Sequence, residues 1–466
     1  MSKNFSSRNR HQVVTVELDS LVPKDHLVRQ IEKAIDFTFV YPLVEPYYST
    51  KGRPSIDPIV LIKLIFLQMI FGIPSMRQTI KEVDTNVAYR WFLGYGLTDK
   101  VMHFSTFGKN YSRRFSQTDV FEEIFNTINK QAVSYGLIDA STLYLDSTHI
   151  KANANKNKSI KQAMLVEPKV FQKELEAEIN KERAEVGKYP FEFTEESEVR
   201  TRTISTTDPD CGLFIKGEHE RQFAYSAHTI SDVHGFVLAT DVKPSNIHDS
   251  QVAPLLTERI LSKYPQAEHL VADAGYKTPI FTKYLLAKGL RPVLPYTRPR
   301  GKKGLIRKNE FVYDEYYDCY LCPNNQVLSF STINRKGYRE YKSDPSICYK
   351  CPLLANCIHN KQYQRQITRH VWEDALEIAD DLRLTPLNKK LYERRKETIE
   401  RIFADAKEKH GLRWTKYRSL RKVSNFTMLT FAAMNLKKIA KWLWDSLCLQ
   451  LKIAIIINNT YKNTEF

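Results

Sequence analysis

The sequence is 466 residues long, with 42% hydrophobic and 12% aromatic residues, enough apolar surface for packed cores, which excludes a disordered chain. That length exceeds one ordinary domain, so about two to four are expected. Lys and Arg number 70 against 53 Asp and Glu, a formal net charge of +17; this balance puts a nucleic-acid partner ahead of a merely basic soluble protein, because each neutralised phosphate releases counterions.

The first dozen residues are polar and basic with no apolar stretch, so no secretory signal is expected and the protein is assigned to the cytoplasm. Residues 1–138 read as mostly helical, with segments at 21–37, 57–71, 76–89 and 121–135. The apolar run 59–73 contains Lys63 and is too short to span a bilayer, so it is expected as a buried helix. Basic residues between the segments (Arg77, Lys81, Arg90, Lys109, Arg113, Arg114) suit a helix-turn-helix-like DNA reader, and equally a helical bundle with solvated charges.

Beyond residue 138 the pattern changes. A β-prone run at 142–145 ends on Asp146. Residues 156–188 are strongly charged and helix-prone with little apolar stripe, an exposed helical insertion within about 155–205. Strands are expected at 221–230, 235–242, 269–272 and 291–294, with helices at 251–263 and 279–288. This is a mixed α/β layer occupying 139–301. A cysteine-rich, loop-rich segment covers 302–372. The last region, 373–466, holds a long helical stretch at 388–409, a basic stretch at 413–422 and an apolar helix at 423–444.

Three acids sit where such a layout exposes them. Asp146 and Asp273 each close a strand, and Glu400 lies in a helix with Glu397 and Asp405 as competitors. Three carboxylates suit two hard divalent cations, Mg²⁺ or Mn²⁺, flanking one phosphate. Each acid alone is ordinary: a strand-terminal Asp usually makes a turn, and a helical Glu is usually solvated. Asn246 and Asp249 either orient these acids or cap the helix beginning near Asp249, and the cap is preferred.

Five of the seven cysteines fall between 319 and 357. Cys319-x-x-Cys322 and Cys348-x-x-Cys351, with Cys357 beyond them, have the spacing of a structural Zn²⁺ site; one cysteine is surplus, and reduced, unligated thiols are the alternative. The interleaved run Arg413, Trp414, Lys416 and Arg418 suits a phosphate-contacting rim, or a Trp packed beneath a basic edge. His149 and Lys151 come soon enough after Asp146 to touch a scissile strand, or to be structural. Lys407 lies two helical turns beyond Glu400, on roughly the same face.

Several blocks together resemble the DDE transposases of insertion sequences: Leu145-Asp146-Ser147-Thr148-His149-Ile150-Lys151-Ala152-Asn153-Ala154, Val271-Ala272-Asp273-Ala274-Gly275-Tyr276, and Glu400-Arg401-Ile402-Phe403 with Lys407. Gly52 to Pro58, Tyr89 to Gly94, His103 to Phe107, Thr207 to Asp210 and Ser245 to Ser250 fit too, so the likeness covers roughly residues 12–440. It is similar to the subgroup with a cysteine-rich insert before the catalytic Glu. The resemblance implies an RNase H-like core, Asp146, Asp273 and Glu400 as a metal-binding triad, a helical N-terminal domain reading terminal inverted repeats in double-stranded DNA, and a homodimer or larger synaptic assembly. One departure stands out: the family's Tyr and Arg ahead of that Glu are out of register, and Lys396 occupies the Arg place, with Tyr392, Arg394 and Arg395 beside it.

Overall fold

The computed structural model describes residues 13–48, 55–165, 171–193, 199–216, 220–298 and 304–462. Gly52 to Pro54 of the sequence blocks, and the stretch 166–170 of the charged insertion, lie outside these. The chain divides into two compact units. One comprises Met1–Ile138, Ile150–Asn153 and Ile402–Phe466; the other comprises Asp139–His149 and Ala154–Arg401.

The first unit is helical. Its centre is the helix Pro58–Ile70, apolar on nearly every face and started by Asp57, whose carboxylate accepts the Ile59 amide at 2.8 Å. Helices Leu27–Ala34, Val120–Ser134 and Leu420–Lys462 complete the bundle. Lys63 is tolerated inside because its ammonium is fully satisfied. It meets both Glu32 oxygens at 2.8 and 2.6 Å and the Phe92 carbonyl at 3.1 Å, between the Phe37 and Phe92 rings. No helix among the described residues is long and apolar enough to cross a membrane.

Two expected helices are broken. Residues 21–37 hold only the helix Leu27–Ala34, flanked by short 3₁₀ turns. Pro23 and the extended residues around it delay the start of the helix to Leu27, and the extended Ile35 ends it. The expected segment 76–89 is two helices, Met76–Thr85 and Val87–Leu93, because Asn86 leaves helical geometry to cap the second. Arg90 is buried and donates to the carbonyls of Gly96, Asp84 and Asp99, so it braces this corner rather than facing DNA.

The second unit is built on a six-stranded mixed sheet. Its strands are β1 (Thr142–Lys151), β4 (Gly212–Lys216), β5 (Glu220–Ser231), β6 (Val237–Pro244), β7 (His269–Ala272) and β8 (Arg291–Val293), ordered β4-β5-β1-β7-β8 with β6 also on β5. β7 runs parallel to β1 and to β8, and these short buried strands are apolar, as parallel strands covered on both faces must be. The helices Asp249–Leu261 and Pro279–Ala287 make the crossovers.

The charged insertion is not one exposed helix. Its first part is β2 (Ser159–Leu165), paired antiparallel with β3 (Val199–Ser205), where a Thr-rich partner strand outweighs local helix propensity. Only Gln172–Glu185 is helical, and it is not solvated throughout. Leu175 and Ile179 pack with Ile333, Val371 and Trp372, and Glu182 meets Arg339 at 2.8 Å.

The cysteine-rich segment is likewise more ordered than expected. β9 (Val312–Asp314), β10 (Cys319–Leu321), β11 (Val327–Ile333), β12 (Tyr338–Ser343) and β13 (Gln366–His370) form an antiparallel sheet in the order β13-β12-β11-β10-β9. Phe311, Tyr320, Leu328, Tyr341 and Ile367 give it a core of its own. The expected helix 388–409 is interrupted too. Pro386–Glu393 ends in a 3₁₀ turn at Arg394–Lys396, and Ile399–Lys409 begins after two turn residues.

Gly72 closes the central helix with φ of +64°, and a β-carbon there would lie 2.5 Å from the Lys409 carbonyl oxygen. Gly72→Ala is therefore expected to destabilise the helical unit by about 2 kcal/mol or more through combined strain and clash. A lowered midpoint in chemical or thermal unfolding is the readout, and an unchanged midpoint would refute that close approach.

Candidate active site

The pairing of β1 with β7 brings two acids together. Thr142 to Leu145 lie in register with His269 to Ala272, so Asp146 comes beside Asp273; Asp273 follows the end of β7, but Asp146 does not close its strand as expected, because β1 runs on to Lys151. Functional groups of α/β sheets collect past carboxyl ends such as that of β7. Asp273 Oδ1 accepts the Gly275 amide at 2.9 Å. Asp146 Oδ1 accepts the Ser147 amide at 2.8 Å, and its Oδ2 meets Arg395 Nη2 at 2.6 Å. Burial pushes the Asp146 carboxyl up to about 6; the Arg395 guanidinium opposes this, and the neighbouring Asp273 adds to it.

A third carboxylate joins them that the sequence assigned to capping. The cap of the helix Asp249–Leu261 is His248, whose Nδ1 accepts the Ser250 amide at 3.3 Å. Asp249 instead turns inward, accepting from Ser147 Oγ at 3.1 Å. Burial holds its carboxyl above the ordinary range, and Asp273 adds to the shift. A β-carbon on Gly275 would stand 3.2 Å from an Asp273 oxygen and 3.3 Å from an Asp249 oxygen, so bare backbone at 275 leaves room between the two acids.

Beneath the acids lies a buried polar pair. His228 is completely buried, with Nδ1 at 3.3 Å from the Tyr276 hydroxyl and 3.6 Å from Asp249 Oδ1. Burial, then the charges of His149 and Lys243, push His228 down to about 4, so its ring is neutral near pH 7. The Tyr276 hydroxyl is held well above its usual value, by burial first and then by Asp249 and Asp146. Tyr276 was legible as part of the block around Asp273; His228 carried no signal beyond its place in a strand.

Glu400 is the second residue of the helix Ile399–Lys409 and is exposed. Among the described residues its carboxylate does not form a metal-holding group with Asp146 and Asp273. The same segment does deliver Arg395 to Asp146. Arg395 is buried, bonded to the Tyr392 hydroxyl at 3.2 Å and stacked 5.5 Å from that ring. Lys396, which takes the Arg place by spacing, is exposed on the 3₁₀ turn. The guanidinium at the acids is thus Arg395's, because counting along one unbroken helix does not apply across this break. Among the described residues, no group of three His, Cys, Asp or Glu side chains is preformed as a metal cage.

The remaining sequence candidates are placed elsewhere. His149 Nδ1 lies 2.9 Å from Ser226 Oγ, with its ring 3.9 Å from that of Phe214. Lys151 holds its ammonium 4.8 Å from the Trp414 ring centre, and its backbone bonds to Arg413 and Thr415 at 3.2 and 3.0 Å. Arg413 pairs with Glu408. Lys416 Nζ meets the Pro74 carbonyl at 2.6 Å, and Arg418 Nε the Asn153 carbonyl at 3.1 Å. Trp414 and Arg413 are exposed beside these contacts, so the run forms a solvent-facing edge already stitched to its own unit. Lys407 lies on the Glu400 helix, half-buried.

All five clustered cysteines are free thiols. Cys322, Cys348, Cys351 and Cys357 line one small cavity, whereas Cys319 is buried in β10 and lines none of it. The Cys357 thiol is raised by burial, countered by Arg365, and raised further by the other three cysteines of the cavity.

Two family models match the chain. One is a transposase domain (DUF772) over residues 16–113, and the other a transposase DDE domain over residues 321–440. The second includes Glu400 and Arg395; Asp146, Asp249 and Asp273 fall outside it. No curated protein matches. The two matches agree with the sequence resemblance to the DDE transposases of insertion sequences.

If Arg395 holds down the proton affinity of Asp146, Arg395→Gln will move the Asp146 carboxyl further above its present value of about 6. A carboxyl-carbon NMR titration reads this directly, and an unmoved midpoint would show that the guanidinium is not its counter-ion.

Proposed function

We propose that this protein is the transposase that binds the terminal inverted repeats of its own insertion sequence and catalyses metal-dependent DNA cleavage and strand transfer. The observation that carries the reading is the pair Asp146, within β1, and Asp273, just past β7, set side by side by the parallel pairing of the two strands, with Arg395 and Glu400 later in the chain within the DDE-matched region. The mixed sheet supports an RNase H-like core, and the cysteine-bearing sheet ahead of Glu400 supports the subgroup with such an insert. DDE transposases use divalent metals, and the donors here fit: crowded carboxylate oxygens, short of compensating charge, suit Mg²⁺ or Mn²⁺. Asp146, Asp273 and Glu400 would hold two such ions. Bound there, they supply an activated water or 3′-hydroxyl and charge stabilisation for an in-line displacement at phosphorus.

The chain's own residues set up that chemistry. Asp146 and Asp273 are fixed by the register of β1 on β7. Asp249 adds a third, partly buried carboxylate through Ser147, while neutral His228 and the protonated Tyr276 support the acids from below without adding a competing cation. Arg395 pairs with Asp146 and is the cation at the acids that would contact a backbone phosphate. Glu400 is the third acid of the set, carried on the helix Ile399–Lys409. The helical N-terminal unit reads the repeats, and Lys407, Lys151, Arg413, Trp414, Lys416 and Arg418 line DNA along the exposed edge. Two ends must be held together, so the working form is a dimer or larger, acting on DNA in the bacterial cytoplasm.

A labelled duplex carrying the element's end tests this. With Mg²⁺, the wild-type protein is expected to nick the end and join its 3′-hydroxyl to target DNA, and Asp273→Asn to do neither. Binding without metal-dependent cleavage would leave a DNA-binding protein with an inert core, and cleavage without joining a nuclease. Asp249→Asn is expected to lower the cleavage rate by about 10- to 100-fold while leaving DNA affinity in place, as loss of a supporting carboxylate does. A wild-type rate in that variant would remove Asp249 from the site.

A further inference from the structure

Two Cys-x-x-Cys pairs suggest that each pair supplies two ligands, but the fold separates them differently. Cys319 and Cys322 flank a strand end. Cys319 sits inside β10, paired with Ser329 and Asp314, while Cys322 lies beyond the strand in a tight turn. That turn is drawn closed by Cys322 N–H to the Gln326 carbonyl at 2.9 Å and Asn325 N–H to the Cys322 carbonyl at 2.8 Å, with Asn325 at a φ of +51°. Across from it, the short helices Pro345–Cys348 and Leu354–Cys357 each end on a cysteine, and Cys351 lies between them. Four cysteines from three chain segments therefore line one cavity of about 30 Å³ with Phe311 and Leu328, close to one another though not closed into a metal cage.

We infer that Cys322, Cys348, Cys351 and Cys357 form a four-thiolate structural zinc site that excludes Cys319, which sharpens the zinc expectation for this segment and is independent of the strand-transfer reading. The surroundings favour thiolates. The Gln326 amide points at Cys322 Sγ at 3.3 Å, and Asn324 Nδ2 reaches Cys351 Sγ at 3.6 Å. Arg365 also borders the cavity. Its Nη1 and Nη2 are spent on the carbonyls of Cys357 and Ile306, at 3.0 and 2.9 Å, while its buried Nε has no partner. A guanidinium with an idle donor beside four thiols offsets the net double negative charge that four thiolates around one Zn²⁺ carry. Each thiol gives up its proton to solvent on binding, with no change in oxidation state. Four protein ligands leave no open position, so the metal ties the two helical turns to the sheet and takes no part in DNA chemistry.

Elemental analysis of the full-length protein, purified without added metal, tests the assignment. One zinc per chain is expected in the wild type and in Cys319→Ser, and less than about a tenth of that in Cys322→Ser and Cys357→Ser. The module has its own aromatic core, so unchanged far-ultraviolet circular dichroism will show whether a variant that lost zinc is still folded. As a second measurement that needs no variant, Co²⁺ exchanged into the wild type is expected to give the intense absorption of a tetrahedral all-sulfur site. No bound metal, an iron chromophore in place of zinc, or loss of zinc in Cys319→Ser would each overturn the ligand set. None of these readouts uses DNA or Mg²⁺, so a protein inactive in strand transfer still decides the matter.

Discussion

The parallel pairing of β1 with β7 is the constraint on which the second unit depends. Parallel neighbours cannot be joined by a tight turn, so the chain must leave the sheet, form β5 and β6 and the helix Asp249–Leu261, and return. That excursion is what supplies Asp249 and His228 to the same end as Asp146 and Asp273. Register does the fine placement. Leu145 opposite Ala272 sets the two carboxylates level, and a slip of one residue would turn one of them to the other face of the sheet.

Burying carboxylates, and setting them near one another, has an electrostatic cost, visible in the raised proton affinity of Asp146 and Asp249. The protein offsets it locally with one cation, Arg395, rather than with several. The other groups described around the acids are neutral: a histidine kept deprotonated by burial, a tyrosine kept protonated, a serine and backbone amides.

The second unit was legible where its strands are short apolar runs between turn residues, whereas β1 runs on past Asp146, where its apolar run stops, to Lys151. The strand His269–Ala272 coincides with its expectation, and the helix after it differs by one residue. Legibility failed where tertiary contacts outweigh composition. Residues 159–165 look like a charged helix, yet β3 recruits them as a strand. The helix Gln172–Glu185 looks solvated, yet two of its apolar residues and one glutamate are claimed by the cysteine-bearing sheet. Asp249 was visible as a residue and misjudged in role, since a histidine one place earlier makes the cap and frees the carboxylate. The five cysteines gave the presence of a cluster; only the fold separates Cys319, which is committed to a strand, from the other four.

The break at Arg394–Thr398 has a consequence for how such sequences are compared. Along a continuous α-helix each added residue rotates the remainder of the helix by about 100°, so a shift of one would carry an arginine off its target face. Here a 3₁₀ turn and two turn residues stand between Arg395 and Glu400 and act as a joint rather than a shaft. The two side chains are indexed separately, one to the strand it grips and the other to the helix that bears it. Insertions and deletions of single residues at this joint can accumulate in related chains without disturbing either placement, and alignments that forbid a gap there will pair Lys396 with an arginine it does not replace.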